Sequence, residues 1–241
     1  MPAYNEAATI AEIVCSVLES PFTAEVLVID DASSDGTAAI VQAIADPRLR
    51  LLRQDSNQGK GAAIRRGFAE ASQTFVIVQD ADLEYDPADF HQIMAPLLSG
   101  KADVVYGSRF LGDRAHRVLY YWHSVGNRFL TTASNMFTNL NLTDMETCYK
   151  AFRAEVLRSF ELEENRFGVE PEITAKIARG GWRVFEVGIS YSGRTYSEGK
   201  KIGWRDGLWA MFCIVAYSAA GDRLQVKRLR PAVRSLTRVR A

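Results

Sequence analysis

Strand-like and helix-like segments alternate from residue 6 to residue 108, and this alternation limits the fold more than any other feature. Behind Asn5, a good N-cap, Ile10, Ile13, Val14, Val17 and Leu18 recur at helical spacing and predict a helix to about Ser20. Glu25 to Asp31 then reads as a strand ending in two acids. A second helix opens at Asp35-Gly36-Thr37 and runs to about Ala45, with Asp35 as its cap. Leu49 to Arg53 is a short strand, and Asn57-Gln58-Gly59-Lys60-Gly61 leads into a helix to about Ser72. Phe75 to Val78 is an apolar run suited to the middle of a parallel sheet. Pro87 suits the first turn of a helix to about Leu98, and Asp103 to Tyr106 is a strand leading into Gly107-Ser108-Arg109. The pattern predicts an α/β fold whose mainly parallel sheet is joined by right-handed crossovers. No strand precedes the first helix, although a helix opening so abruptly normally follows one.

The second half is less regular. Arg114 to Leu142 is rich in Tyr, Trp, Phe and Asn without a strand pattern, and Val118 to Leu140 suits an interfacial segment as well as a packed face. Asp144 to Phe152 passes into a helix from about Ala154, Gly168 to Arg179 is a further helix, and Arg183 to Val187 is a strand. Trp204, Leu208, Trp209, Met211, Phe212 and Val215 mark an apolar helix. Seven Lys/Arg and no acid follow from Arg223 to Arg240. The expected division is residues 1–205 as one domain (halves 1–108 and 109–205), with 206–241 as a membrane-associated helix and basic tail. The longest apolar stretch, Gly207 to Gly221, falls short of the roughly 20 residues a spanning helix needs.

Charge separates along the chain. Residues 1–108 carry 7 Lys/Arg and 16 Asp/Glu, whereas residues 109–241 carry 22 and 13. An acidic half able to hold a metal and a basic half able to meet anions suit two substrates rather than nucleic acid. Cys15, Cys148 and Cys213 lack metal or redox spacing and read as buried reduced thiols of a cytosolic protein. The chemistry concentrates where Phe75–Val78 runs into Gln79, Asp80, Ala81 and Asp82. Carboxylates two apart at a strand's carboxyl end can turn toward one point, with Glu84 able to join them, and hard oxygens there suit Mg²⁺ or Mn²⁺ bridging to phosphate.

Five stretches, P-A-Y-N-E, V-I-D-D-A-S-S-D-G-T, N-Q-G-K-G, Q-D-A-D-L-E-Y-D-P and V-V-Y-G-S-R-F, resemble in order and spacing the family 2 glycosyltransferases. Within that family the chain looks most like the polyprenyl-phosphate sugar transferases of the dolichyl-phosphate mannose synthase type, over roughly residues 2–205. The resemblance implies a GT-A fold, a Rossmann-like mixed and mainly parallel sheet with flanking helices. It further implies that the usual first strand, just ahead of P-x-Y-N-E, is lacking. The expectation is an upstream start or a destabilised chain, tested by adding upstream codons.

The resemblance also assigns roles. Pro2, Tyr4, Glu6, Asp30, Asp31, Lys60, Asp80 and Ala81 match the nucleotide-sugar site, Asp80 and Asp82 the metal acids, with Glu84 where Gln is common. Arg109 matches the G-S-R arginine, and Ser124 with Asn127 resembles the S-x-x-N that follows. Tyr120 stands where an arginine is frequent, with Arg117 as its substitute. Arg194, Lys200 and Lys201 resemble the basic loop that closes over the substrates. Asp82 and Arg109 are thereby the catalytic candidates, and Arg109, Arg117, Ser124, Arg194, Lys200 and Lys201 the acceptor-phosphate candidates. The expected reaction moves a hexose, as from GDP-mannose or UDP-glucose, to a polyprenyl phosphate. It would take place on the cytoplasmic face of the cytoplasmic membrane, against anionic lipid and with room for a membrane-embedded partner protein. A lipid phosphate is already ionised near neutral pH and requires no base. Transfer to a saccharide or protein hydroxyl would instead use Glu170 or Glu172. A phosphatase with D-x-D-x-[TV] is disfavoured by Glu84, and a non-catalytic nucleotide-binding adaptor would bind without turnover.

Overall fold

The computed structural model describes residues 1–112, 117–118, 120–194 and 204–219; Lys200, Lys201 and the basic tail lie outside the described residues. Strands β1 (Pro2–Ala3), β2 (Val26–Asp30) and β3 (Leu49–Arg53) form one parallel sheet in that order. Helices α1 (Ile10–Glu19), α2 (Thr37–Gln42) and α3 (Lys60–Glu70) make the crossovers. A second sheet runs β4 (Phe75–Ile77), β6 (Lys150–Arg153), β5 (Val104–Ser108), β7 (Val184–Gly188). Strand β6 is antiparallel to both β4 and β5, and β5 is parallel to β7. Sequence periodicity missed β6, a four-residue strand held by partners distant in the chain. For that reason β4, expected inside a parallel sheet, has an antiparallel neighbour and only half-buried residues.

A 3-10 turn (Pro87–Asp89) precedes α4 (Phe90–Leu98), and Asp86 caps the turn by accepting the Ala88 N–H. Helix α5 (Tyr121–Thr138) fills the stretch that had no strand pattern, followed by α6 (Ala154–Arg158), α7 (Val169–Gly180) and α8 (Trp204–Tyr217). The core joins Ile10, Ile13 and Val14 of α1 to Ile93 and Leu97 of α4, Val104–Tyr106 of β5, and Ile173 and Ile177 of α7. Helix α8 lies against α7 and α5. Its Trp209, Cys213 and Tyr217 are buried, and the Trp209 indole and Tyr217 hydroxyl both donate to the buried Glu164 carboxylate at 3.0 Å. Of the residues expected at the membrane, Trp209 is thus turned inward, while Leu208 is exposed and Met211, Phe212 and Val215 are half-buried.

Asn5 does not cap α1, whose N-cap is Thr9. It sits at φ 52° and accepts the Ser34 N–H, tying the first segment to the loop after β2. The N-cap of α2 is Gly36 rather than Asp35, but the Asp35 carboxylate just ahead of it accepts from the Thr37 N–H in the first turn and from the Ala7 N–H. Cys148 and Cys213 are buried free thiols, but Cys15 is exposed because it falls on the outer face of α1.

The first residues of the chain join the sheet at its edge. Two residues of β1 pair with Ile29 and Asp30, and Met1 extends the pairing through its carbonyl to the Ile29 N–H and its ammonium to the Leu27 carbonyl. Beyond them a cavity of about 380 Å³ separates β2 from β4, lined by Leu27, Phe68, Phe75, Ile77 and other mostly apolar groups.

Candidate active site

The carboxyl ends of β1 and β2, the loop after β4 and the start of α3 open onto one cavity of about 340 Å³. This is the edge at which open α/β sheets bind ligands. Pro2, Tyr4 and Glu6 line it from the first segment and Asp31 from the end of β2. Lys60 lines it from the head of α3, and Asp80, Ala81, Asp82 and Glu84 from the loop after β4. Arg109, Glu170 and Arg194 approach from the second half of the chain.

Lys60 grips Asp80, its Nζ lying 2.8 and 3.0 Å from the two carboxylate oxygens. Burial pushes the Asp80 carboxyl up, but the Lys60 charge together with the hydrogen bonds from Lys60 and Cys148 brings the net direction down. Asp82 goes the other way. Burial first, then the charges of Asp80 and Glu84, push it up to about 7, even though Arg194 Nη2 lies 2.6 Å away. Arg194 also meets Glu6 at 3.3 Å and Glu84 at 3.2 Å, so one guanidinium ties three acids of the cavity together. Glu84 is committed to that segment, accepting from the Tyr191 hydroxyl at 2.7 Å and the Arg194 N–H at 2.9 Å. It is an anchor for residues 191–194 rather than a third member of the Asp80–Asp82 pair.

Arg109 is buried, and its Nε and Nη2 donate to the two oxygens of the fully buried Asp144 at 2.6 and 2.7 Å. Asn127 of α5 bonds both partners, and the Tyr191 ring lies 5.2 Å from the guanidinium carbon. Asn127 of the predicted S-x-x-N thus orients the arginine, whereas Ser124 is off the cavity. Arg117 is off it too, bonding the Tyr191 and Gly193 carbonyls.

Several predicted acids are structural. Asp30 faces away from the cavity, fully buried and paired with Arg53 at 3.0 Å, because adjacent strand residues point to opposite faces. Asp31 lines the cavity but accepts from the Gln54 amide and the Gln58 and Gly59 N–H groups, using three of its roughly four acceptor sites to hold the 54–59 loop. Glu172 is fully buried, and its oxygens accept from the Glu163 and Glu164 N–H groups at 2.7 Å and from Lys176. Glu170 reaches the cavity paired with Lys150 and within 3.6 Å of Lys60. Gly59 is required by close approach. It has φ +99°, and a Cβ there would lie 2.5 Å from the Asn165 carbonyl oxygen.

The model of the family described as Glycosyl transferase family 2 matches residues 1–160, more than half of the chain. The chain belongs to that family. It is 29% identical over 215 residues to an undecaprenyl-phosphate mannosyltransferase of Micrococcus luteus, covering 84% of this chain and 86% of that protein. It is 28% identical over 212 residues to a polyprenol monophosphomannose synthase of Mycolicibacterium smegmatis, covering 84% and 80%. Among solved structures, glucosyl-3-phosphoglycerate synthase from Mycobacterium tuberculosis superposes with a TM-score of 0.70. That match has 20% identity and covers 90% of this chain and 77% of the other. The solved complex holds Mn²⁺, UDP and glucosyl-3-phosphoglycerate, and the likeness establishes the GT-A fold.

In this family 2 transferase, sequence reading missed the segment 144–150. Asp144 clasps Arg109, Glu146 and Cys148 line the cavity, and Lys150 pairs with Glu170. The signal was present as ionisable or thiol side chains at every second position of D-M-E-T-C-Y-K. Among the described residues no three His, Cys, Asp or Glu converge into a ready-made metal cage. Asp80 and Asp82 still fit a divalent cation of the Mg²⁺ or Mn²⁺ kind, which is commonly held by one or two carboxylates with substrate phosphates completing its set. The upward push on Asp82 from its neighbouring charges is the repulsion such a cation would relieve.

Proposed function

We propose that this transferase moves a hexose from a nucleotide-diphosphate sugar to a polyprenyl phosphate at a membrane surface, with inversion. One observation carries the reading: both glutamates placed by sequence to act as a base, Glu170 and Glu172, are already committed to lysines and backbone N–H groups. An acceptor that arrives ionised needs no such base. The named relatives from M. luteus and M. smegmatis support the same acceptor class.

In this reading Asp80 and Asp82 would hold a Mg²⁺ or Mn²⁺ ion, which when bound would neutralise charge developing on the departing nucleotide diphosphate. Lys60 keeps Asp80 ionised and in place, and its position at the head of α3 suits a phosphate neighbour. Arg109 is a fixed cation for the lipid phosphate, oriented by Asp144 and Asn127. A phosphate oxygen of the lipid attacks the anomeric carbon as the sugar–phosphate bond breaks, and the electron pair leaves with the nucleotide. Arg194 ties the 191–194 segment to the acids, so it parts from Asp82 as the donor enters.

The membrane contact belongs to α5. Its inner face supplies Asn127 to the arginine network, while Tyr121 (71% exposed), Trp122 (79%), Phe129 (65%) and Met136 (80%) lie outward. Aromatic and apolar groups on one helix above a cationic site suit the headgroup level of a bilayer. No described helix is long and apolar enough to cross a membrane. A second reading, transfer to a hydroxyl, has one observation in its favour: burial pushes Glu146, in the same cavity, up to about 7, within the range of a base.

Labelled UDP-glucose and GDP-mannose, assayed with Mn²⁺ in the presence and absence of undecaprenyl phosphate, test the proposal. The expected result is lipid-borne label that falls by about 100-fold or more in Asp82→Asn. Label in a saccharide, or full transfer by Asp82→Asn, would overturn it.

A further inference from the structure

Among the described residues, three buried side-chain atoms have no hydrogen-bond partner: Glu146 Oε1, Thr147 Oγ1 and Trp182 Nε1. Of these residues only Glu146 lines the cavity that holds Asp80, Asp82 and Arg109. A buried carboxylate oxygen without a donor is costly, unless a bound molecule supplies the missing O–H or N–H. Among the described residues no donor supplies it: the cations whose charges act on Glu146, Lys150 and Arg109, are held by Glu170 and Asp144 respectively. Glu146 is half-buried in the 144–150 segment, two residues along the chain from Asp144 and in the field of both pairs.

The donor reading above leaves one neutral, hydroxyl-rich group to be placed in this cavity. The diphosphate belongs with Lys60, Asp80 and Asp82, and the acceptor phosphate with Arg109, so the transferred hexose must lie between them. A hexose offers several O–H donors and no charge. A carboxylate with an open acceptor site matches it, and a site built to bond a substrate hydroxyl strongly rejects the analogue that lacks it.

We infer that Glu146 accepts hydrogen bonds from hydroxyls of the transferred sugar and thereby selects which hexose this transferase uses. The inference rests on the donor reading and can fail separately from it. The experiment is calorimetric binding of UDP-glucose, GDP-mannose and their singly deoxygenated analogues, with Mn²⁺ and without acceptor, to the wild type, Glu146→Ala and Glu146→Gln. The wild type is expected to bind one deoxy analogue about 10- to 100-fold more weakly than its parent. Glu146→Ala should bind the parent as weakly as that analogue, while its affinity for the analogue itself stays unchanged. Glu146→Gln, which keeps an acceptor oxygen, should fall between them.

Unchanged discrimination among the analogues in Glu146→Ala would overturn the inference, as would an equal loss for every donor. A Glu146→Gln protein that binds and discriminates like the wild type but no longer transfers would make Glu146 a base instead, and would also overturn it. If the wild type binds neither nucleotide sugar, it is the donor reading that has failed.

Discussion

Replacing Asp144 by Ala should destabilise the protein more than any other single change at the site. The guanidinium of Arg109 would keep its burial and lose both charge-assisted bonds, now 2.6 and 2.7 Å, together with the bond from its own N–H at 3.1 Å. Burial opposes the Arg109 charge, and Asp144 more than compensates, so the unpartnered arginine bears the whole desolvation penalty. Breaking one side of such a buried pair costs about 3–5 kcal/mol. With a urea slope of about 3 kcal/mol/M for a chain of this size, the unfolding midpoint should fall by roughly 1–1.7 M. Asn127 also loses the carboxylate it donates to at 3.2 Å, so α5 should loosen at the point where it meets the site. The assay is equilibrium urea unfolding of the wild type, Asp144→Ala, Arg109→Met and the double variant. Replacing both partners removes the stranded charge, so the double variant should be more stable than Asp144→Ala alone. A midpoint shift under 0.3 M in Asp144→Ala (about 1 kcal/mol by the same slope), or strict additivity in the double variant, would refute the reasoning.

Burial and the charge of Glu170 raise Glu146 in the folded protein above its unfolded value. Its contribution to stability is therefore present below the ordinary carboxyl range and lost as pH rises through about 7. Urea midpoints from pH 5 to pH 8 should fall less steeply in Glu146→Gln than in the wild type, and parallel curves would contradict this. Trp122→Ala and Phe129→Ala act on exposed side chains; flotation with anionic liposomes should drop several-fold with little change in melting temperature, whereas equal flotation would remove α5 from the membrane.

Much of the first half was legible because its signals are local. Leu49–Arg53 has the bounds expected from its apolar run, and most crossover helices lie within a few residues of their periodic patterns. The exceptions depend on partners far along the chain. Strand β6 exists because β4 and β5 flank it, which no four-residue pattern can announce. Helix α8 has the apolar composition of a membrane-surface helix, yet Glu164, 45 residues before Trp209 and 53 before Tyr217, gives both a buried acceptor. The glycines of N-Q-G-K-G suggested a phosphate turn, but close approach also requires them, by the Asn165 carbonyl at Gly59 and the Glu164 carbonyl at Gly61.

The sequence alone determined the fold class and the place of the chemistry, because strand–helix alternation and acids at a strand's end depend on neighbours within a few residues. Tertiary structure alone decided which charges are free to act. Asp30 and Asp31 are adjacent, and Asp82 and Glu84, like Glu170 and Glu172, are two apart, yet the members of each pair meet different donors. The physical reason is that a carboxylate's role follows from which donors reach it. Those donors (Arg53, Arg194, Lys150, the Glu163 and Glu164 N–H groups) come from distant segments that meet only when the chain has folded.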